Sequence, residues 1–196
     1  MQKLQEAYQR FDEANAKDPN TEEYNGKLFP KELLYAQRMT EILSEFLPDA
    51  SEVLLLTTRC QHICRWEIPR SEYPMNRVGY LQWRTALKKF HVSKASEILK
   101  EVGYETGIID RVSFLLQKKQ LKRDAETQAI EDVICLVFLK YYYEDFIEKH
   151  DETKLISIIQ KTWIKMSRKG QERALKLRFS EKGIKLINTA LEQLDL

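Results

Sequence analysis

The chain has 196 residues, 43% of them hydrophobic and 32% charged, with a net charge of only +2 and a mean hydropathy of −0.51. That length suits one globular domain with a core large enough to need no staple, and no apolar run approaches the ~18 residues of a membrane helix. The charged start MQKLQEAYQRFDEANAKD does not read as a signal peptide, and three cysteines suit reduced thiols in the cytoplasm. The near-neutral charge argues against a general nucleic-acid binder.

All five prolines fall at or before Pro74, so the rest of the chain is free of the strongest helix breaker. Residues 1–17 carry a helical apolar stripe (Leu4, Ala7, Tyr8, Phe11, Ala14) and run into a polar loop, DPNTEEYNGK, at 18–27. Pro30 suits the first turn of a helix, KELLYAQRMTEILSEFL, that stops before Pro48. Ser51 caps the next, EVLLLTTRCQHICRW, to about residue 66, and the irregular stretch EIPRSEYPMNR follows at 67–77. One long helix is expected from 77 to 102, ended by Gly103, then others at about 106–119 and 125–148. ETKLISIIQKTWIKMSRKG and SEKGIKLINTALEQL supply two more. With no strand signal, the expectation is an all-α fold: a single compact domain over 1–196, with seven to nine helices.

The long helix carries an unusual stripe. At about 100° per residue, Arg77, Tyr80, Arg84, Lys88 and His91 share an arc of roughly 80°. Ala95, Ile98, Leu99 and Val102 lie close to the same arc. A basic stripe therefore runs directly into a core-facing one, whereas a solvated basic face belongs opposite the core.

The helix at 125–148 is apolar nearly all round between Ala129 and Tyr143, and Glu131 and Asp132 stand within it. Buried carboxylates must be paired, protonated or metal-bound. They are either a structural ion-pair network with Arg84, Lys88 or His91, or part of a ligand or catalytic cleft.

The positive charge is local. Residues 59–91 hold seven Arg and Lys against Glu67 and Glu72, a net of +5. Arg65, Trp66, Arg70, Arg77, Tyr80, Trp83, Arg84 and Lys88 are the candidate substrate-binding residues, because guanidinium forks suit phosphates and aromatic faces suit a planar group. The expected partner is a small anionic, phosphorylated ligand, with an RNA end as the other possibility. The bland alternative is a solvated loop anchored by its aromatics. Cys60-x-His62-x-Cys64 has metal-ligand chemistry, but its cysteines are four apart with no second pair. The KKQLKRD run at 118–124 reads as an interhelical loop that borders the cleft.

Two resemblances bear on function. QHICRW, the HVSKASEIL stretch opened by His91 and the Ile-Glu-Asp132 triplet resemble the HD-domain phosphohydrolase superfamily in layout. An HD-like core would then cover about 33–140, with the N-terminal helix 1–17 and the C-terminal helices 151–195 packed on it. This resemblance implies either an altered site with a divalent metal at His62, His91 and Asp132, where His62, His91, Glu131 and Asp132 would be the catalytic residues, or a metal-free binding pocket. Gln61-His62 departs from the His-Asp pair of that superfamily, and its first histidine would fall near Tyr35 or Ala36. FDEANAKDPN, PKELLYAQRM, QHICRWEIPRSEYP, GYLQWRTALKKFH and EDVICLVFLKYYYEDF resemble, over nearly the whole chain, an uncharacterised bacterial and fungal domain of unknown function. Some of its members carry a glutamyl-tRNA synthetase label. The expected activity is hydrolysis of a phosphorylated, nucleotide-like small molecule at an altered HD-type site. The alternatives are a non-catalytic nucleotide- or RNA-end-binding module, or a structural protein whose polar network is architectural.

Overall fold

The computed structural model describes residues 2–194. The first helix, α1 (Gln2–Asn15), buries Ala7, Phe11 and Asn15 along the face its spacing predicts. The stretch expected to be a loop instead forms a short antiparallel hairpin, β1 (Thr21–Tyr24) and β2 (Lys27–Pro30). Asn25 and Gly26 turn it with φ values of 51° and 73°, the mirror-image turn that two-residue hairpins favour. The strands escape sequence recognition because both are largely exposed and show no apolar alternation.

Pro30 precedes α2 (Lys31–Phe46), and Ser51 Oγ accepts from Leu54 N–H at 3.2 Å to cap α3 (Glu52–Arg59). That helix ends seven residues short of the expected 66. Residues 60–64 form turns, and Cys64 adopts a left-handed φ of 51°. The Cys64 N–H donates to Asn15 Oδ1 at 2.9 Å, so a side chain of α1 secures the break. Two single 3-10 turns, Arg65–Glu67 and Arg70–Glu72, follow, and then α4 (Arg77–Glu101) runs unbroken for 25 residues. Asn76 Oδ1 caps it through Gly79 N–H at 2.9 Å, and Gly103 ends it at φ 85°. α5 (Thr106–Leu116) leads into a connection with positive φ at Lys118, Gln120 and Lys122.

The chain divides there into two compact units, Met1–Lys119 and Gln120–Leu196. The division falls inside the 33–140 span expected of an HD-like core. In the first unit Phe11, Leu56, Ile63, Ala95, Leu99 and Leu116 form a core shared by α1, α3, α4 and α5. The second unit contains α6 (Ala125–Val137), a π-helical turn at Phe138–Tyr142, α7 (Tyr143–Ile147), α8 (Glu152–Lys165), α9 (Arg168–Ala174) and α10 (Glu181–Glu192). The architecture is all-α. It has ten α-helices among the described residues, because the π turn interrupts 125–148 and Met166–Ser167 breaks KTWIKMSRKG. No helix among those residues is long and apolar enough to cross a membrane.

Candidate anion site

The site is built where the first turn of α2, the turns after α3 and the middle of α4 meet in the first unit. Glu32 N–H donates to Asp18 Oδ2 at 3.0 Å, and Asp18 Oδ1 accepts from the Asn20 backbone and side chain, which fixes the start of α2. Glu32, Ala36 and Met39 then share a buried face. Tyr35, beside them, stacks on the His62 ring with centroids 4.2 Å apart and planes within 10°. His91 comes in from α4, its ring centroid 5.9 Å from that of His62.

The hydrogen bonds fix the tautomers. His91 Nδ1 lies 2.8 Å from the Ile63 carbonyl, which only accepts, so Nδ1 carries the proton. Arg65 Nη1 lies 3.3 Å from His62 Nε2, and arginine only donates, so Nε2 accepts. His62 Nδ1–H therefore faces Glu32 Oε2 at 3.5 Å. Arg65 Nε sits 4.0 Å from Glu32 Oε1, with the guanidinium 4.8 Å over the Trp83 ring.

Burial dominates the electrostatics. Glu32 is 7% exposed, and burial pushes its carboxyl up to about 7 against the opposing pull of Arg65. Burial brings His91 down to about 3, with His62 adding to the effect. His62 is held well below the usual histidine range, first by burial and then by Arg65, Arg84, Lys118 and Lys31. Both imidazoles are thus neutral at pH 7. Arg84 is half-buried on α4 and makes no hydrogen bond or ion pair among the described residues, yet it stands close enough to depress both His62 and Arg65. An unpaired guanidinium close to a second one and to a neutral imidazole is a candidate anion site.

The stripe on α4 behaves as its angles predict. Arg77 is exposed, Arg84 and Lys88 are half-buried, and His91, Ala95 and Leu99 are buried. Other expected ligand residues have structural duties. Arg70 donates through Nη1 to the Tyr73 carbonyl at 2.9 Å and through Nη2 to those of Pro74 and Asn76 at 2.8 and 3.3 Å, so its guanidinium organises the loop. Trp83 Nε1 donates to the Ile68 carbonyl at 2.9 Å, with Arg70 5.9 Å from its ring. Trp66 packs on the core, and Tyr80, 45% exposed, sits 6.0 Å from Trp83.

Glu131 and Asp132 belong to the second unit and find partners there. Asp132 is 2% exposed and accepts from Ser167 N–H at 2.7 Å, Ser167 Oγ at 2.5 Å and Gln128 Nε2 at 3.1 Å. Ser167 in turn caps α9 through Gly170 N–H at 3.1 Å. Gly170 lies so close that a Cβ there would meet Asp132 Oδ1 at 2.6 Å. Glu131, nearly fully buried, has Lys165 Nζ at 3.8 Å.

The residues present do not fit the metal expected at His62, His91 and Asp132. No group of three His, Cys, Asp or Glu able to hold an ion occurs among the described residues. Both Asp132 oxygens are engaged, and both ring nitrogens of His62 face protein groups, Nε2 towards Arg65 and Nδ1 towards Glu32. The CxHxC spacing fails for a different reason: Cys60 and Cys64 are buried thiols in turns, not on one helix face.

Glu32 is the site residue that sequence reasoning missed; Tyr35 enters it only as the position of an expected histidine, and Lys118 only within the KKQLKRD run. The available signal for Glu32 was its spacing of four and seven residues from the core positions Ala36 and Met39.

Comparison with protein families matches residues 5–187 to a model described as Domain of unknown function (DUF4202). No curated protein and no solved structure matches the chain.

Proposed function

We propose that this chain, which belongs to the DUF4202 family, binds a phosphorylated, nucleotide-like small molecule at the His62 cluster and hydrolyses its phosphate ester. The observation that carries this reading is Arg84, a half-buried guanidinium with no protein partner among the described residues, set beside Arg65. Two forks and the nearby Lys88 suit the oxygens of a phosphate.

Chemistry then falls to His62 and Glu32. At 3.3 Å the Arg65–His62 contact is long for a hydrogen bond, whereas a fork on phosphate is short and charge-assisted. A bound phosphate draws Arg65 away and leaves the His62 Nε2 lone pair to take a proton from the attacking water. Glu32, facing Nδ1–H, steadies the imidazolium that forms. The proton returns to the leaving oxygen, so ester and water become alcohol and phosphate. The altered HD-type site enters this reading only through His62 and His91.

Recognition without turnover is the second reading, favoured by Arg65 occupying His62 Nε2 in the ligand-free protein. Phosphate release from nucleoside monophosphates, measured for the wild type and His62→Asn, separates the two. Release that H62N abolishes, with binding retained, supports hydrolysis. Binding without release supports the second reading.

A further inference from the structure

We infer that Tyr80 is the platform on which a flat ring of the bound molecule lies, so that the site selects a base-bearing monophosphate over a bare sugar phosphate; this rests on the phosphate-binding reading above.

Tyr80 and Arg84 are one turn apart on the same face of α4. Four residues of helix rise about 6 Å, a span that one ribose bridges between a base and its 5′-phosphate. Direct contacts tie Tyr80 to the rest of the cluster. Its ring centroid lies 6.0 Å from that of Trp83, and the Trp83 ring carries the Arg65 guanidinium at 4.8 Å. Arg65 in turn reaches His62 Nε2 at 3.3 Å. Tyr80 also stands near enough to Arg65 to act on its charge.

The other rings of the cluster are occupied. Tyr35 is stacked on His62, and Trp66 packs on the core. Trp83 lies under Arg65 with its Nε1 held by the Ile68 carbonyl at 2.9 Å. Tyr80 differs. It is 45% exposed, Trp83 is its only ring contact among the described residues, and the 50° between the two planes leaves the Tyr80 ring unstacked. Leu81, next to it, is 55% exposed and widens the apolar surface.

An open aromatic face one turn from an unpaired guanidinium offers two different interactions to one molecule. Arg84 and Arg65 only donate, which suits phosphate oxygens. A base has a flat face that stacks on tyrosine, whereas a ribose presents hydroxyls that gain little there. The cluster thus divides recognition, with the cations taking the phosphate and Tyr80 the base.

Calorimetric titration with AMP and with ribose 5-phosphate, which lacks the base, tests this in wild type, Tyr80→Leu, Tyr80→Phe and Arg84→Ala. Tyr80→Ala stands as a second variant without the ring, and the melting midpoint of each ligand-free protein is recorded. Wild type is expected to prefer AMP by about tenfold or more, the worth of one base stacked on an aromatic ring. Y80L and Y80A should lose that preference while keeping the ribose 5-phosphate affinity and the melting midpoint. Y80F, which retains the ring, should keep the preference, and R84A should weaken both probes alike. An AMP preference that survives in Y80L and Y80A overturns the inference, as does its loss in Y80F or its absence from wild type. Equal weakening of both probes in Y80L and Y80A, or a collapse of the melting midpoint in both, also overturns it, since the ring would then be holding Arg84 or the fold. Unchanged binding in R84A, or no binding of either probe by wild type, overturns instead the site reading beneath it.

Discussion

His62 Nδ1 sits 3.5 Å from Glu32 Oε2, yet the two do not form an ion pair. Burial keeps the imidazole neutral and raises the carboxyl to about 7, so at neutral pH the contact joins an uncharged ring to a half-ionised acid. Such a pair suits proton transfer better than it suits holding a fold together, because neither partner is locked in its charged form.

Glu32 makes stability depend on pH in a direction opposite to an ordinary salt-bridged acid. Its folded value of about 7 lies above the value of 4.5 expected of the unfolded chain, so between those limits the native state holds more protons. Stability therefore falls as pH rises from 4.5 to 7, by roughly 3 kcal/mol in total. Glu32→Gln lacks this loss. Urea midpoints measured from pH 4.5 to 8 should show E32Q gaining on wild type across that window, with a constant difference above it.

The histidines act at the acid end. His91 is at about 3 when folded and near 6.5 when unfolded, so the unfolded chain binds the extra proton as pH falls below 6.5. Stability should drop through that range and level off near pH 3. His91→Phe removes the pH term but leaves the Ile63 carbonyl unpaired, at a cost of about 1–3 kcal/mol. Denaturation curves at pH 5 and pH 8 separate the two effects: H91F should lose less on acidification than wild type.

Asp132 is expected to matter for the second unit's stability. Asp132→Ala strands Ser167 N–H and Oγ and loosens the start of α9, a loss of roughly 3 kcal/mol. Gly170→Ala should also destabilise, since its Cβ would press on Asp132 Oδ1 at 2.6 Å. Chemical denaturation checks both, and added divalent metal should rescue neither.

Arg70 should prove a loop residue. Arg70→Lys keeps the charge but cannot span the Tyr73, Pro74 and Asn76 carbonyls, so it should destabilise by about 1–2 kcal/mol while leaving phosphate binding unchanged. A titration with AMP at 25 °C, well below melting, is the check.

What the sequence made legible follows from the range of the interactions involved. α4 is fixed by local signals, an Asn76 cap, no proline and Gly103 at its end, so its continuity and the stripe from Arg84 to His91 could be read from angles alone. The burial of Asp132 was legible in the same way, from its apolar neighbours. Its partner was not, because Ser167 lies 35 residues on in another helix. The end of α3 at Arg59 depends on Asn15, 49 residues before Cys64, and Glu32 meets His62 only because α2 and the turn after α3 pack together. No short-range pattern carries such contacts.

The central claim is that unpaired Arg84 and its neighbour Arg65 form an anion site, and titration of AMP into wild type and Arg84→Ala tests it most directly. We expect one saturable site in wild type, weakened by salt, and at least a tenfold loss in R84A with the melting midpoint unchanged or slightly raised, since removing one of two adjacent cations relieves repulsion. Equal affinity in the two proteins would contradict the account.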